Sequence, residues 1–266
     1  MTATLALRAF GGVLWRELLR FLQQRERFFA ALVRPLVWLL VFAAGFRAAL
    51  GISIIPPYQT YITYETYIVP GLLGMIQLFN GMQSSLSMVY DREMGSMRVL
   101  LTAPLPRWYL LLCKLAAGAF VSVLQCYVFL LIAILFGIPL PWIGFATVLP
   151  ALIITAFMLG AFGLLISSLI RQLENFAGVM NFVIFPVFFL SSALYPLWKM
   201  QESSQLLYWL CAANPFTHGV ELIRFALYAK HNLASLDVVL ASTLVFCAAA
   251  IAGYDPRHGL VRRRTE

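Results

Sequence analysis

LLLCKLAAGAFVSVLQCYVFLLIAILF, residues 110–136, and IGFATVLPALIITAFMLGAFGLLISSLI, residues 143–170, decide the fold class. The first run holds one charged side chain, Lys114, and the second holds none. A bilayer core is crossed by about 20 apolar residues in a helix. Each run is therefore long enough to span, and each is apolar all round, as a helix without a water-facing side must be. Working outward, Val33–Leu50, Ile68–Val89, Phe176–Leu197 and Leu236–Gly253 meet or approach the same length. Six spans are expected. The first of them carries Arg34 and Arg47, which must reach toward opposite interfaces, and the last is short and begins beside Asp237.

Composition agrees. The 266 residues are 62% hydrophobic and only 11% charged, whereas a soluble surface carries roughly 25–35% Lys, Arg, Glu and Asp. The net charge of +8 does not point to nucleic acid. The basic residues sit at the chain ends and in short loops, where anionic lipid head groups attract them. Arg8, Arg16, Arg20, Arg25, Arg27 and Arg34 lie at the start, Arg92, Arg98 and Arg107 between the second and third windows with Lys114 at the near end of the third, Arg171 after the fourth, and Arg257, Arg262, Arg263 and Arg264 at the end. Positive loops stay cytoplasmic, so both termini are expected there, with Arg47, Lys199, Arg224 and Lys230 on the other side.

Four further segments have a readable character. Leu7, Phe10, Leu14, Leu18, Phe21 and Leu22 recur at helical spacing opposite Arg16, Arg20, Gln23 and Arg27, which describes an amphipathic helix over residues 1–30 lying in the membrane interface. Tyr58, Tyr61, Tyr64 and Tyr67 after Pro56 and Pro57 suit an interfacial aromatic belt. Residues 195–233 are too polar for an ordinary span and read as one or two helices dipping into the outer leaflet, packed against protein. Tyr90–Lys114, YDREMGSMRVLLTAPLPRWYLLLCK, is too long for a tight turn. It carries an apolar patch a partner protein can grip.

Chemistry is mostly absent. None of Lys114, Lys199 and Lys230 follows a glycine, so a phosphate-cradling G-x-x-x-x-G-K-[ST] loop does not exist. No G-x-S-x-G and no H-E-x-x-H occurs, and His218, His231 and His258 all fall in expected loops. Cys113, Cys126, Cys211 and Cys247 lack metal or disulfide spacing. Within the spans, neutral polarity remains. Gln77, Asn80, Ser84 and Ser87 share one helical face, and Gln125, Asn181, Ser191 and Ser192 are candidates to face the same interior. Two readings stay open: a translocation path, or hydrogen bonds between helices.

Three motifs in order carry a resemblance. R-E-x-G-S-M-R-x-L-L-x-x-P at residues 92–104 resembles the signature between the second and third spans of ABC-2 type permeases. FPVFFLSSALYPL at 185–197 is similar to that family's fifth-span ending, and NPFTHGVELIR at 214–224 to its outer segment. Within that family the chain resembles the subgroup that includes the nodulation-factor and anthracycline permeases. The resemblance implies an all-α membrane protein forming a single transmembrane domain over 1–266: a connecting helix at 1–30, a six-helix domain at 33–253 with re-entrant outer helices between the fifth and sixth spans, and a cytoplasmic tail at 254–266.

It also implies roles. Asp91–Arg107 becomes a cytoplasmic coupling helix, with Asp91, Arg92, Glu93, Gly95, Ser96, Leu100, Pro104 and Arg107 facing an ATPase, while Arg98 stands where the family often has an acidic residue. Asn214, Pro215, Glu221 and Arg224 become part of an outer gate, and the spacing of Glu221 and Arg224 suits an ion pair on a helix. The implied activity is export of an amphipathic, glycan or drug-like substrate across a bacterial inner membrane. The permease is implied to pair with a second copy, while two separate ATPase subunits bind ATP and Mg; no cofactor belongs to this chain. The rivals are an ATPase-independent carrier or channel, and a membrane-embedded enzyme, for which only His218 with Glu221 comes close.

Overall fold

The computed structural model describes residues 8, 10–16, 18, 19, 32–41, 56–59, 62–93, 106–170 and 173–253, with the backbone alone at 91–93, 107 and 173–177. These residues are predominantly helical: α1 Leu32–Val41, α2 Tyr64–Glu93, α3 Arg107–Leu135, α4 Trp142–Leu169, α5 Leu173–Phe189, α6 Leu197–Ser203, α7 Gln205–Ala213, α8 Pro215–Leu227 and α9 Leu233–Gly253. Residues 10–16 add a helical stretch with Trp15 and Arg16 exposed. The rest of the expected connecting helix, residues 42–50 of the first window, and the tail at 254–266 lie outside the described residues.

Three helices are long and apolar enough to cross a membrane by themselves: Trp108–Leu135, Trp142–Leu169 and Leu233–Gly253. Leu32–Val41 and Gly178–Phe189 are apolar but shorter. Large apolar side chains point away from protein on these elements, among them Leu131 and Leu135 of α3, Phe182 of α5, and Leu244 and Val245 of α9. Exposed apolar faces of that extent need a lipid solvent, so the chain is a multi-pass membrane protein.

The centre is α2. At 30 residues it is about 45 Å long. It is buried almost all round, with Ile68, Val69, Leu72, Leu73 and Leu78 wholly inaccessible. It packs against α3, α4, α5 and α8, while α9 leans on α4 and α8. Glycines set the separations. A Cβ at Gly81 would lie 2.7 Å from the Leu159 carbonyl oxygen, and one at Gly163 only 2.5 Å from that of Gly81. The backbones of α2 and α4 therefore touch, the close approach that small residues permit between membrane helices. Gly144 on α4 meets the Leu227 carbonyl of α8 in the same way, and Gly71 on α2 meets Ala193.

Several expectations are corrected. The helix that holds the second window begins at Tyr64 rather than Ile68, and Tyr58, Tyr64 and Tyr67 are buried instead of forming an exposed belt. For Tyr64 and Tyr67 the physical reason is that their hydroxyls find protein carbonyls, Tyr64 donating to Leu194 O at 2.9 Å and Tyr67 to Ser192 O at 3.0 Å, while Tyr58 is packed against the Tyr228 ring. Tyr61 lies outside the described residues. The fifth window ends at Phe189, eight residues early. There the Ser191 hydroxyl donates back to Phe188 O at 2.5 Å and accepts from Ala193 N at 3.2 Å, turning the chain before Pro196 opens α6. The connection to the last span holds three helices, α6–α8, rather than one or two. Lys114 lies inside α3 and is buried. His218 is on α8, with Nε2 2.9 Å from Ala212 O, not in a loop.

Candidate functional site

Polar residues gather in two places. The first is a seam where α2 meets α3 and α4. Gln77 is buried and donates to Leu152 O at 2.8 Å. Asn80 donates to Gln125 Oε1, and at 3.5 Å to the Ser122 hydroxyl. Ser84 sits against Gly118, where a Cβ would come within 2.8 Å of its hydroxyl. Gln77, Ser84 and Ser122, with Lys114, Ser85 and Gly160 among others, line a cavity of about 10 Å³ beside this seam, which admits a single water-sized molecule at most. The structure thus brings together Gln77, Asn80, Ser84 and Gln125. It does not bring Asn181, exposed on α5, or Ser191, buried in the turn after α5.

The second place is built around Arg224. Asn214 starts it by capping α8: its Oδ1 accepts from Phe216 N at 3.0 Å, with Pro215 in the first turn. A short polar side chain followed by proline is a strong helix-start signal. The same side chain donates its Nδ2 to Val187 O and Leu190 O, each at 2.7 Å, which ties α8 to the end of α5. Asn214→Ala removes the cap and both ties. It is expected to cost about 2 kcal/mol or more, read as a lowered thermal midpoint of the purified protein; an unchanged midpoint would show these bonds to be exchangeable with water.

From that start, α8 carries Arg224 inward until 2% of it remains exposed. Its Nη1 donates to Glu221, three residues earlier, and its Nη2 to Ser192 O at 2.9 Å. The guanidinium lies 4.2 Å from the centre of the Tyr67 ring, a cation–π distance. Burial alone would pull the Arg224 pKa down, but Glu221, with Tyr67 and Tyr58, outweighs it and holds the group above its usual range. Burial pushes Tyr58 up as well, and Tyr228 up to about 12 against the pull of Arg224. Both phenols are neutral at physiological pH, so they add no charge to the Arg224–Glu221 pair. Tyr58 packs edge-on to Tyr228 with centroids 4.8 Å apart.

Of the residues expected at the outer gate, the structure assembles all four, Asn214, Pro215, Glu221 and Arg224, on one helix start and its inner face. Tyr58, Tyr67 and Thr217 join them without having been expected there, and Ser192, a candidate for the translocation path, joins them through its carbonyl. The tyrosine repeat marked two of these, but only the fold shows what their hydroxyls reach. The expected coupling residues cannot be placed together. Asp91, Arg92 and Glu93 form the last turn of α2 and Arg107 the first residue of α3, while Gly95, Ser96, Leu100 and Pro104 lie outside the described residues. Among the described residues no group of three His, Cys, Asp or Glu is placed to hold a metal ion.

Comparison with known proteins follows the same map. Residues 8–228 match the family described as ABC-2 type transporter. The chain is 33% identical over 210 residues to the probable multidrug ABC transporter permease YbhR of Escherichia coli (strain K12), a match covering 78% of this chain and 55% of that protein. It is 30% identical over 221 residues to the putative transport permease ycf38 of Cyanophora paradoxa, covering 77% and 70%. To nodulation protein J of Rhizobium leguminosarum bv. viciae it is 21% identical over 258 residues, covering 96% of each. The chain spans about half the length of the YbhR relatives it matches. With the family's profile aligned over most of its length and the membrane helices in place, this chain belongs to the ABC-2 type transporter family.

Proposed function

We propose that this chain is the permease subunit of an ATP-driven exporter, with α1–α5 and α9 as its six spans, α6–α8 as re-entrant outer helices, and both termini in the cytoplasm of a bacterium. The single observation that carries the reading is the family match over residues 8–228. A separate ABC ATPase, in two copies, docks on Asp91–Arg107, and a second permease copy completes the path. ATP and Mg belong to that ATPase. The cargo is an amphipathic, glycan or drug-like molecule, since the cation of the outer site, Arg224, is already matched by Glu221. The required physics is a two-state membrane dimer whose conformations bind the ATP-loaded and nucleotide-free ATPase differently.

The geometry of α2 supports this assignment. Its last turn, Asp91–Glu93, leads straight into the segment that the docking role needs, so a push there acts on the protein's central helix. An enzymatic role finds little support: Glu221 is held by Arg224, and His218 Nε2 lies against Ala212 O.

The test is co-purification of the permease with its ATPase, wild type against a chain altered at Glu93, Gly95 and Leu100. Bound ATPase and ATP turnover are expected to fall at least tenfold, while the altered chain stays folded and membrane-inserted. Equal ATPase binding by both chains would remove the docking assignment.

A further inference from the structure

The Arg224 cluster borders a cleft of about 400 Å³ between α2, α6, α8 and the start of α9. That volume is far above the single-water scale and falls in the range of small-molecule sites, roughly 300–1,000 Å³. Its lining mixes apolar and aromatic groups, Tyr67, Pro196 and Trp198 among them, with the polar side chains of His218, Asn232 and Ser235, and α8 supplies as its floor Thr217, Glu221 and Arg224. The floor is unusual in what it leaves unbonded. Thr217 Oγ1 and Arg224 Nε are both inaccessible and have no hydrogen-bond partner in the protein, as are Tyr58 Oη and Ser192 Oγ just behind them. Buried polar atoms are normally paired, and leaving one unpaired costs about 1–3 kcal/mol. Three such atoms beside a guanidinium whose own Nε is the fourth, two of the four on residues that line the cleft, leave hydrogen-bonding capacity that a ligand seated there can use.

The type of bond follows from the atoms. Arg224 Nε carries a hydrogen and no usable lone pair, so it can only donate. The ligand must therefore present an acceptor oxygen, to which the Thr217 hydroxyl can also donate. Its charge follows from the pairing. Arg224 is already matched by Glu221, so a net charge brought into this buried floor would meet no counter-ion and would lose its hydration. An uncharged head is favoured. The remainder of the ligand has an apolar surface to lie on, since Trp198 is 38% exposed at the cleft, and Leu206 and Trp209 stand exposed on α7, which packs against α6.

We propose that this cleft binds the uncharged, acceptor-bearing head of an amphiphile, with carbonyl, ether or hydroxyl oxygens on Thr217 and Arg224 and its apolar body against Trp198. Two sources share that chemistry, the exported cargo and a resident membrane lipid; the cargo source rests on the exporter reading, the site itself does not.

The experiment uses the full chain in lipid nanodiscs and a monodecanoylglycerol bearing a diazirine, whose photolabelled peptides are mapped by mass. Labelling is expected on residues 196–198 and 217–225, competed by monodecanoylglycerol and at least tenfold less well by decyl phosphate or decyltrimethylammonium. Thr217→Val, which keeps the shape and removes the hydroxyl, is expected to reduce labelling about tenfold, the equivalent of one such hydrogen bond. Thr217→Ser is expected to restore it. Label spread evenly along the exposed faces of α3 and α9, equal competition by decyl phosphate, or no difference between the valine and serine chains would each overturn the site. Repeating the labelling with the ATPase bound and turning over separates the sources: label that falls on ATP addition identifies cargo, and label that does not change identifies lipid, the site standing in both cases. Because the first measurement needs no ATPase, a mapped label with no ATPase binding would end the exporter reading and leave the cleft intact.

Discussion

Arg224→Met is expected to lower stability by about 3–5 kcal/mol, the cost of breaking a buried ion pair by removing one partner. Methionine fills much of the volume, so the loss is not chiefly a cavity. It comes from Glu221, left at a largely buried position without its cation, from Ser192 O, which loses a donor at 2.9 Å, and from the Tyr67 face, which loses the guanidinium above it. Glu221→Gln is expected to cost less, because that side chain is 19% exposed and water can reach it. The double change should recover part of the loss, since a neutral pair demands no counter-ion. Reversible unfolding in mixed micelles, read for both single chains and the double, gives the coupling energy directly. Additive losses would mean that the two charges act independently, contrary to the pairing described above.

Gly163→Leu is expected to prevent folding to the native arrangement, and Gly163→Ala to cost about 1–3 kcal/mol, the usual range for overpacking. Even the alanine methyl would stand 2.5 Å from the Gly81 carbonyl oxygen and close to the Ser85 hydroxyl. A backbone atom cannot rotate away as a flexible side chain can, so α2 and α4 would have to separate along the contact. Gly178→Ala on α5 meets nothing within 4 Å and is the matched control, expected to be neutral or slightly stabilising through helix propensity. Yield of monodisperse protein and thermal midpoint measure all three. A Gly163→Ala chain as stable as the control would show that this packing can relax at no cost.

What could be read from sequence follows from which neighbours each residue has. The windows 110–136 and 143–170 match Arg107–Leu135 and Trp142–Leu169 closely, because lipid-facing length is a property of one segment alone. The last span also starts near its expected place; Asn232 Oδ1 accepts from Ser235 N and fixes that end. Glu221 with Arg224 was legible from spacing on one helix. The burial of Tyr64 and Tyr67 was not, because a phenol has the same amphipathic character at a lipid interface as in a core whose carbonyls come from residues 192 and 194. The same limit applies to the Thr217 and Ser192 hydroxyls, whose significance depends on Arg224 arriving from a different turn of the chain. Composition alone did not separate helix-to-helix bonding from a path in the Gln77–Gln125 seam; the fold adds the small size of its cavity.

The close contact between Gly81 and Leu159 has a mechanical meaning. It lies somewhat beyond the middle of α2, whose first turns hold the tyrosines bonded to the turn after α5 and whose last turn is Asp91–Glu93. Where α2 meets α4 backbone to backbone it has a fulcrum, with arms of about 26 Å toward Tyr64 and about 18 Å toward Glu93, and the longer arm carries Ala193 on its own backbone contact at Gly71. A tilt of roughly 5° would sweep the short arm by about 1.5 Å and the long arm by about 2 Å in the opposite sense. The tyrosine end would then travel farther than the end that was pushed, so small displacements entering beside Glu93 would arrive enlarged beneath Arg224.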